Sequence, residues 1–383
     1  MYKKRIGVCT VGRQLLLSNY GSFFQHLALR RVLNTLGFEC FRVEYEHIWS
    51  ELWALLLPLR SCYGLFRWLL HGGKGCRPQL FSLNESWQRV KFALAYRRVI
   101  AHIFERQKFA DAYIAGGDCV WFNTDKRLFL LETPASARRI SYAVSSSWEW
   151  MSKEQDWVRC IKEVGNTFYA LSARERIGCE IIGRLTNRHV AQTLDPVLLI
   201  DREVYCGLAL RKKMFSRPTL LYYVVNIDDP DQLFINEVLG CATELGCDLK
   251  VVAIQGAERY VSRKHLIKPS PDGFLAAYRD AKYVITNSFH GIVFAVKFGK
   301  QFAFIPQRSC KWGNQNLRQT QFLSLFGLCA HQIPSDFGSR HLIAALGLSY
   351  TKESLRLIEN ATVESLGWLQ KHVCDTAKQE SVL

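Results

Sequence analysis

Thr286-Asn287-Ser288-Phe289-His290-Gly291 is the stretch of this chain whose residue types and order best suit chemistry. It ends the apolar run Tyr283–Thr286 and opens another, Phe289–Phe298, which reads as a strand passing directly into a helix. The first N–H groups of a helix have no intrahelical partner and attract anions. Ser288 stands where a cap belongs, Gly291 leaves the backbone open to close approach, and His290 would face a phosphate or carboxylate bound there. Imidazole is an acid suited to work near neutral pH. The same residues would equally serve a purely structural turn, with Ser288 as cap and His290 bonded to a carbonyl.

Ser172-Ala173-Arg174-Glu175-Arg176 also follows a strand-like run and offers guanidinium forks for an oxyanion. A structural Arg/Glu pair at a helix start is its plainer use. Asn19-Tyr20-Gly21 follows the first strand without the G-x-G-x-x-G spacing of a dinucleotide site, and Gly116-Gly117-Asp118 closes a later one. Lys300, with Lys297 and Arg308, adds positive charge around the last strand of the second half.

The elements that would position these groups alternate along the chain. A first β-α-β unit runs from strand 5–11 through a helix over 22–36, closed by Gly37, to strand 40–45. Further strands are expected at 112–115, 139–144 and 167–172. The second half repeats this alternation, with strands at 219–225, 249–254, 283–286 and 302–305 and helices at 231–245, 272–280 and 289–298. Strands separated by helix-sized intervals imply parallel sheets, hence two doubly wound, Rossmann-like α/β lobes facing each other across a cleft. The boundaries expected are an N-terminal lobe over 1–200, a C-terminal donor-binding lobe over 201–350, and a helix and tail over 351–383 that crosses back to the first lobe. Residues 46–110 read as a helical insertion on the acceptor or membrane-surface side. Trp53, Phe66 and Trp68 lie there among Arg60 and Arg67, a mixture suited to an anionic interface.

With 383 residues, 49% apolar and 22% charged, the chain can bury sizeable cores. Fifty Lys and Arg against 34 Asp and Glu give a charge of +16, which favours anionic partners without choosing among them. We find no nucleic-acid motif and no uniform basic tract, so no nucleic-acid partner is expected. Thirteen scattered cysteines with no C-x-x-C pair suggest reduced thiols and no metal site. The opening residues run straight into a strand, and no apolar window reaches bilayer length. A cytoplasmic protein is expected, with peripheral contact at the inner face of a membrane through the insertion.

Six short motifs in order resemble the polysaccharide pyruvyl transferase family. They are Asn19-Tyr20-Gly21 with Gln25; Gly116-x-Asp118-x-Val120-Trp121; Ser141-Tyr142-Ala143; Ser172-x-Arg174-Glu175; Asp195-Pro196 with Leu198-Leu199; and Ser288-Phe289-His290-Gly291 with Gly299-Lys300. The resemblance implies a GT-B-like fold and transfer of pyruvate from phosphoenolpyruvate to a sugar or lipid-linked glycan, as a ketal. The setting implied is bacterial capsule, exopolysaccharide or cell-wall polysaccharide synthesis. It further implies catalytic roles for His290 and Arg174 and substrate contacts from Ser288, Gly291, Lys300, Asn19, Tyr20, Gly21 and Asp118. Phosphoenolpyruvate would be a donor substrate, and no cofactor is expected. Two other readings stay open: a GT-B-type nucleotide-sugar glycosyltransferase, and an anionic-polymer-binding protein without catalysis.

Overall fold

The computed structural model describes residues 4–10, 19–43, 110–122, 124–134, 136–308 and 316–374, plus the single positions 63, 66, 69 and 70. The insertion expected over 46–110 and the tail beyond residue 374 thus lie almost wholly outside the described residues.

The first half contains β1 (Arg5–Cys9), α1 (Tyr20–Thr35), β2 (Glu39–Arg42), β3 (Ala112–Gly116), β4 (Arg138–Tyr142), α2 (Trp148–Met151), α3 (Gln155–Thr167), β5 (Ser172–Ala173), α4 (Arg176–Thr186) and β6 (Ala191–Gln192). Its four-stranded sheet is parallel, in the order β2-β1-β3-β4. β5 pairs with β6, and single bridges at Ile140–Ala170 and Val144–Ala173 carry that pair alongside β4. A 3-10 turn, Pro196–Leu199, leads to the second half.

There the order is α5 (Arg202–Leu208), β7 (Thr219–Val225), α6 (Ile235–Glu244), β8 (Asp248–Ile254), α7 (Pro271–Asp280), β9 (Tyr283–Thr286), α8 (Phe289–Lys297), β10 (Gln301–Phe304), α9 (Leu317–Leu325), α10 (Ser339–Leu346) and α11 (Lys352–Cys374). The second sheet is also parallel, in the order β10-β9-β7-β8. β7 is a near-continuous apolar run because helices cover both its faces, the signature of a central parallel strand. In each sheet the order reverses between two neighbours, β1 and β3 in the first and β7 and β9 in the second. Ligands of open α/β sheets gather beyond the carboxyl ends of strands at such reversals.

Two expected elements differ. The run 167–172 has the apolar pattern of a strand, yet Thr167 closes α3 and only Ser172–Ala173 joins a ladder. Phe168 is instead buried among Trp121 and its neighbours. The helix expected from Asp231 starts at Ile235, because Asp229 caps a separate 3-10 turn, Pro230–Leu233. Phe234, with φ 48°, then breaks the path between turn and helix.

The halves share one apolar core. Tyr20 of α1 stacks on Phe274 of α7 at 4.2 Å, and its hydroxyl donates to the Pro269 carbonyl at 2.7 Å. Phe24 meets Phe294 edge-on at 5.2 Å. α11 crosses back to the first lobe: the Ser365 hydroxyl accepts from the Leu194 N–H at 2.9 Å, and Trp368 lies 6.1 Å from Tyr142. No helix among the described residues is long and apolar enough to cross a membrane.

Tyr20 therefore separates packing from polarity at the lobe junction. Tyr20→Phe should cost about 0.5–1.5 kcal/mol, one hydrogen bond, whereas Tyr20→Ala should cost about 3–5 kcal/mol through the cavity it opens. Denaturant midpoints measure both; equal losses would mean that the stacked ring contributes little.

Candidate active site

The carboxyl ends of both sheets open onto one cleft, about 490 Å³ including the space continuous with solvent. The first lobe contributes Asn19 and Asp118, from the segments after β1 and β3. The second contributes Ser288, His290 and Arg318, with the carboxamides of Asn226, Gln255, Asn287, Gln307 and Gln319. Asn226 and Gln255 directly follow β7 and β8 with φ 54° and 57°, left-handed conformations that non-glycine residues adopt at a cost.

His290 is 5% exposed and sits between the lobes. Its Nε2 lies 3.3 Å from Asp195 Oδ2, an ion pair only when the ring is protonated, and the approach falls outside good hydrogen-bond geometry. Gly21, in the first turn of α1, packs against the other ring nitrogen, where a Cβ would overlap Nδ1. Glycine is thus required at 21 by the imidazole. Asn19 holds this helix start by accepting the Gly21 N–H at 2.9 Å.

Asp195 is the shared partner. Its Oδ1 accepts the Val197 N–H at 3.0 Å, capping the 3-10 turn, and its Oδ2 accepts Arg174 Nη1 at 2.8 Å. Burial alone would raise its pKa. The charges of His290 and Arg174 and the Val197 N–H outweigh that and hold the carboxyl at about 2. Asp118 follows the same pattern: against the effect of burial, His290, Arg174, the Ser22 hydroxyl at 2.6 Å and Arg318 keep its pKa below the ordinary carboxylate value.

Arg174 does not line the cleft. Its Nε donates to Glu175 Oε1 at 2.7 Å and its Nη2 to the Ser145 hydroxyl at 2.9 Å. The guanidinium is stacked 3.9 Å over Phe289, the residue before the imidazole. Glu175 is held in turn by Ser145 and by Trp148 Nε1, at 2.9 Å each. The fork expected to grip an oxyanion is thus engaged by two carboxylates of its own lobe, and Arg174 positions Asp195 and Phe289.

Other expected contacts are relocated too. Ser288 occupies the N-cap position of α8 but makes no side-chain cap bond; its N–H donates to Thr286 Oγ1 at 3.0 Å. Gly291 is needed for packing rather than ligand approach, since a Cβ would overlap Thr286 Oγ1. Tyr20 is consumed by the inter-lobe core. Lys300 precedes β10, at the amino edge of the sheet and so opposite the cleft; its Nζ donates to the Arg279 and Ala281 carbonyls at 2.7 and 2.8 Å, closing the end of α7. Sequence reasoning assigns no role to Asp195, Arg318 or the carboxamides. Asp195 stands in one of the six motifs and Asn287 beside Ser288 of another; Arg318, Asn226, Gln255, Gln307 and Gln319 follow strands or open α9 without any motif. Among the described residues no group of three or more His, Cys, Asp or Glu could hold a metal ion.

Asp195 should make the fold acid-sensitive. A carboxyl whose pKa falls from 3.8 to about 2 on folding stabilises the protein fully above the unfolded value. That contribution, about 2 kcal/mol, is lost as pH drops through the folded value. The stability gap between the wild type and Asp195→Asn should therefore be largest above pH ~4 and narrow toward pH ~2. A gap that stays constant over that window in denaturant titrations would contradict the assignment.

Three solved structures share this architecture. The UDP-GlcNAc 2-epimerase of Neisseria meningitidis bound to UDP-GlcNAc superposes with a TM-score of 0.53 at 11% identity, over 96% of this chain and 100% of that one. The S. aureus MnaA–UDP structure gives 0.51 at 12% identity, over 97% and 96%. A further UDP-N-acetylglucosamine 2-epimerase gives 0.52 at 10% identity, over 97% of each chain. These likenesses establish a GT-B-like, Rossmann-type fold. No curated protein matches the sequence significantly. The family described as Polysaccharide pyruvyl transferase matches residues 19–309, which include Asn19, Gly21, Asp118, Arg174, Asp195 and His290. This chain belongs to the polysaccharide pyruvyl transferase family and is a transferase.

Proposed function

We propose that the chain transfers the pyruvyl carbons of phosphoenolpyruvate to two hydroxyls of a sugar, as a cyclic ketal, in the assembly of a bacterial capsule, exopolysaccharide or cell-wall polymer. The observation that carries this reading is His290, an imidazole braced by Asp195 and Gly21 and lining the same cleft as Asp118 and Arg318. In its protonated form His290 delivers a proton to the methylene carbon, which becomes the methyl group. The first sugar hydroxyl bonds to the central carbon, with Asp118, held ionised, as the proton acceptor within reach of the cleft. The C–O bond to phosphate then breaks, and the second hydroxyl takes the vacated position. The departing phosphate takes the proton held on Asp118 and leaves as hydrogen phosphate, while the second hydroxyl gives its proton to neutral His290, which restores the acid. No cofactor enters this sequence, so activity should survive chelation; loss that zinc restores would overturn that part.

The nucleotide-sugar reading draws on the same cleft, since the Neisseria enzyme of this fold is bound to UDP-GlcNAc. The donor separates the two: pyruvyl transfer consumes phosphoenolpyruvate and releases inorganic phosphate, glycosyl transfer releases a nucleotide. Peripheral membrane contact is part of our reading. Tyr63, Phe66, Leu69 and Leu70 are helical, 59–68% exposed and spaced i, i+3, i+6 and i+7, an apolar face suited to an interface. Flotation with anionic liposomes at low salt should carry the protein upward; absence of binding eliminates that contact.

A donor-and-acceptor screen read by mass spectrometry tests the central reaction, through a pyruvyl mass gain on the acceptor that depends on phosphoenolpyruvate. In the active assay, His290→Gln should stay folded and lose about a hundredfold or more in turnover, the usual worth of a positioned acid or base. Near-normal turnover in a folded variant would rule out proton transfer by His290.

A further inference from the structure

We propose that Arg318, at the start of α9, is the cation that holds the phosphoryl group of the small anionic donor in this cleft. The proposal rests on the pyruvyl-transfer reading for the donor's identity, and on the following geometry for the site.

The cations expected to grip an anion are all directed elsewhere. Arg174 is engaged by Glu175, Asp195 and Ser145. Lys300 closes the end of α7, and Lys297 Nζ donates to the Leu198 carbonyl at 2.8 Å. Among the described residues, Arg318 is the one lysine or arginine that lines the cleft, and it is itself engaged at one nitrogen. Its Nη1 reaches across the lobe junction to Cys119 Sγ at 2.6 Å, which keeps the guanidinium beside Asp118 on the first lobe while α9 anchors it on the second.

Two further groups point to a ligand on this wall. The nine-residue α8 starts there, bringing the positive end of its dipole into the same space as Arg318. Next to Arg318, Gln319 is 4% exposed and donates through Nε2 to the Asn287 carbonyl, while its Oε1 is buried with no partner. A buried amide oxygen of that kind calls for a donor from outside the protein, such as a ligand hydroxyl or a water bridging to one. A planar guanidinium offers a phosphoryl group two parallel N–H bonds, which an ammonium cannot copy.

The test is calorimetric titration of the full chain with inorganic phosphate, and separately with phosphoenolpyruvate, at fixed ionic strength. Arg318→Gln should weaken phosphate at least tenfold and raise KM for phosphoenolpyruvate by a similar factor, with kcat falling less. Arg318→Lys, which keeps the charge and is the safer variant for folding, should be intermediate. Arg340→Gln, which removes the same charge from an exposed position on α10, should bind phosphate like the wild type. The proposal is overturned if Arg318→Gln binds both anions normally, if Arg340→Gln is weakened as much, or if the wild type binds neither. Binding of both anions that depends on Arg318, without any pyruvyl transfer, would support the site and refute the reaction.

Discussion

The contact on which the rest of this structure depends is a single buried carboxylate shared across the lobe junction. Asp195 belongs to the first lobe, where it caps a 3-10 turn and takes Arg174; its Oδ2 also faces the imidazole of His290 from the second lobe. Burying such a charge is costly unless it is surrounded by partners, and removing one partner of a buried pair typically costs about 3–5 kcal/mol. Here two chain segments and two lobes must meet for the carboxylate to be satisfied. The lobes are therefore held in register by chemistry as well as by the aromatic core around Tyr20, Phe24 and Phe274.

That register explains why so many of the cleft-lining positions lie at the reversals of the two sheets. Segments after β1 and β3 in one lobe, and after β7 and β9 in the other, converge because the carboxyl edges face each other. Helix starts at Tyr20 and Phe289 then point into the same space, and Gly21 packs on His290 because two helix N-termini approach within contact distance. The arrangement sets a braced imidazole at the junction against a wall of neutral carboxamides on the second lobe. Carboxamides both donate and accept, which suits hydroxyl-rich ligands, and leaves the anionic part of a ligand to the few cationic groups nearby.

Much of this is legible in the sequence where the signal is local. The apolar run of β7, the glycine after α1 and the strand-to-helix step at His290 are patterns that neighbouring residues alone decide; Gly37 has φ 93°, as a helix terminator should. What depends on contacts between distant segments is not. Arg174 reads as an oxyanion fork because its bonds to Asp195 and Ser145 span 21 and 29 residues. Lys300 reads as a site cation because sequence does not reveal that the loop before β10 lies at the opposite edge of the sheet. Residues 167–172 read as one strand because the apolar pattern runs unbroken through buried Phe168 and Leu171, whereas Thr167 closes α3 and the chain meets β4 only by the bridge at Ala170 before Ser172–Ala173. Arg318 carries no motif at all, and its place in the cleft follows only from where α9 docks.

The central claim is that Asp195 acts through His290, as one unit across the junction. A double-mutant cycle on turnover with Asp195→Asn, His290→Gln and the pair measures this directly. If the two work as a unit, the double variant should be scarcely slower than His290→Gln alone, a coupling of about 1–3 kcal/mol. Losses that multiply, each substitution slowing the enzyme by the same factor whether or not the other is present, would contradict the account and leave Asp195 a purely structural residue.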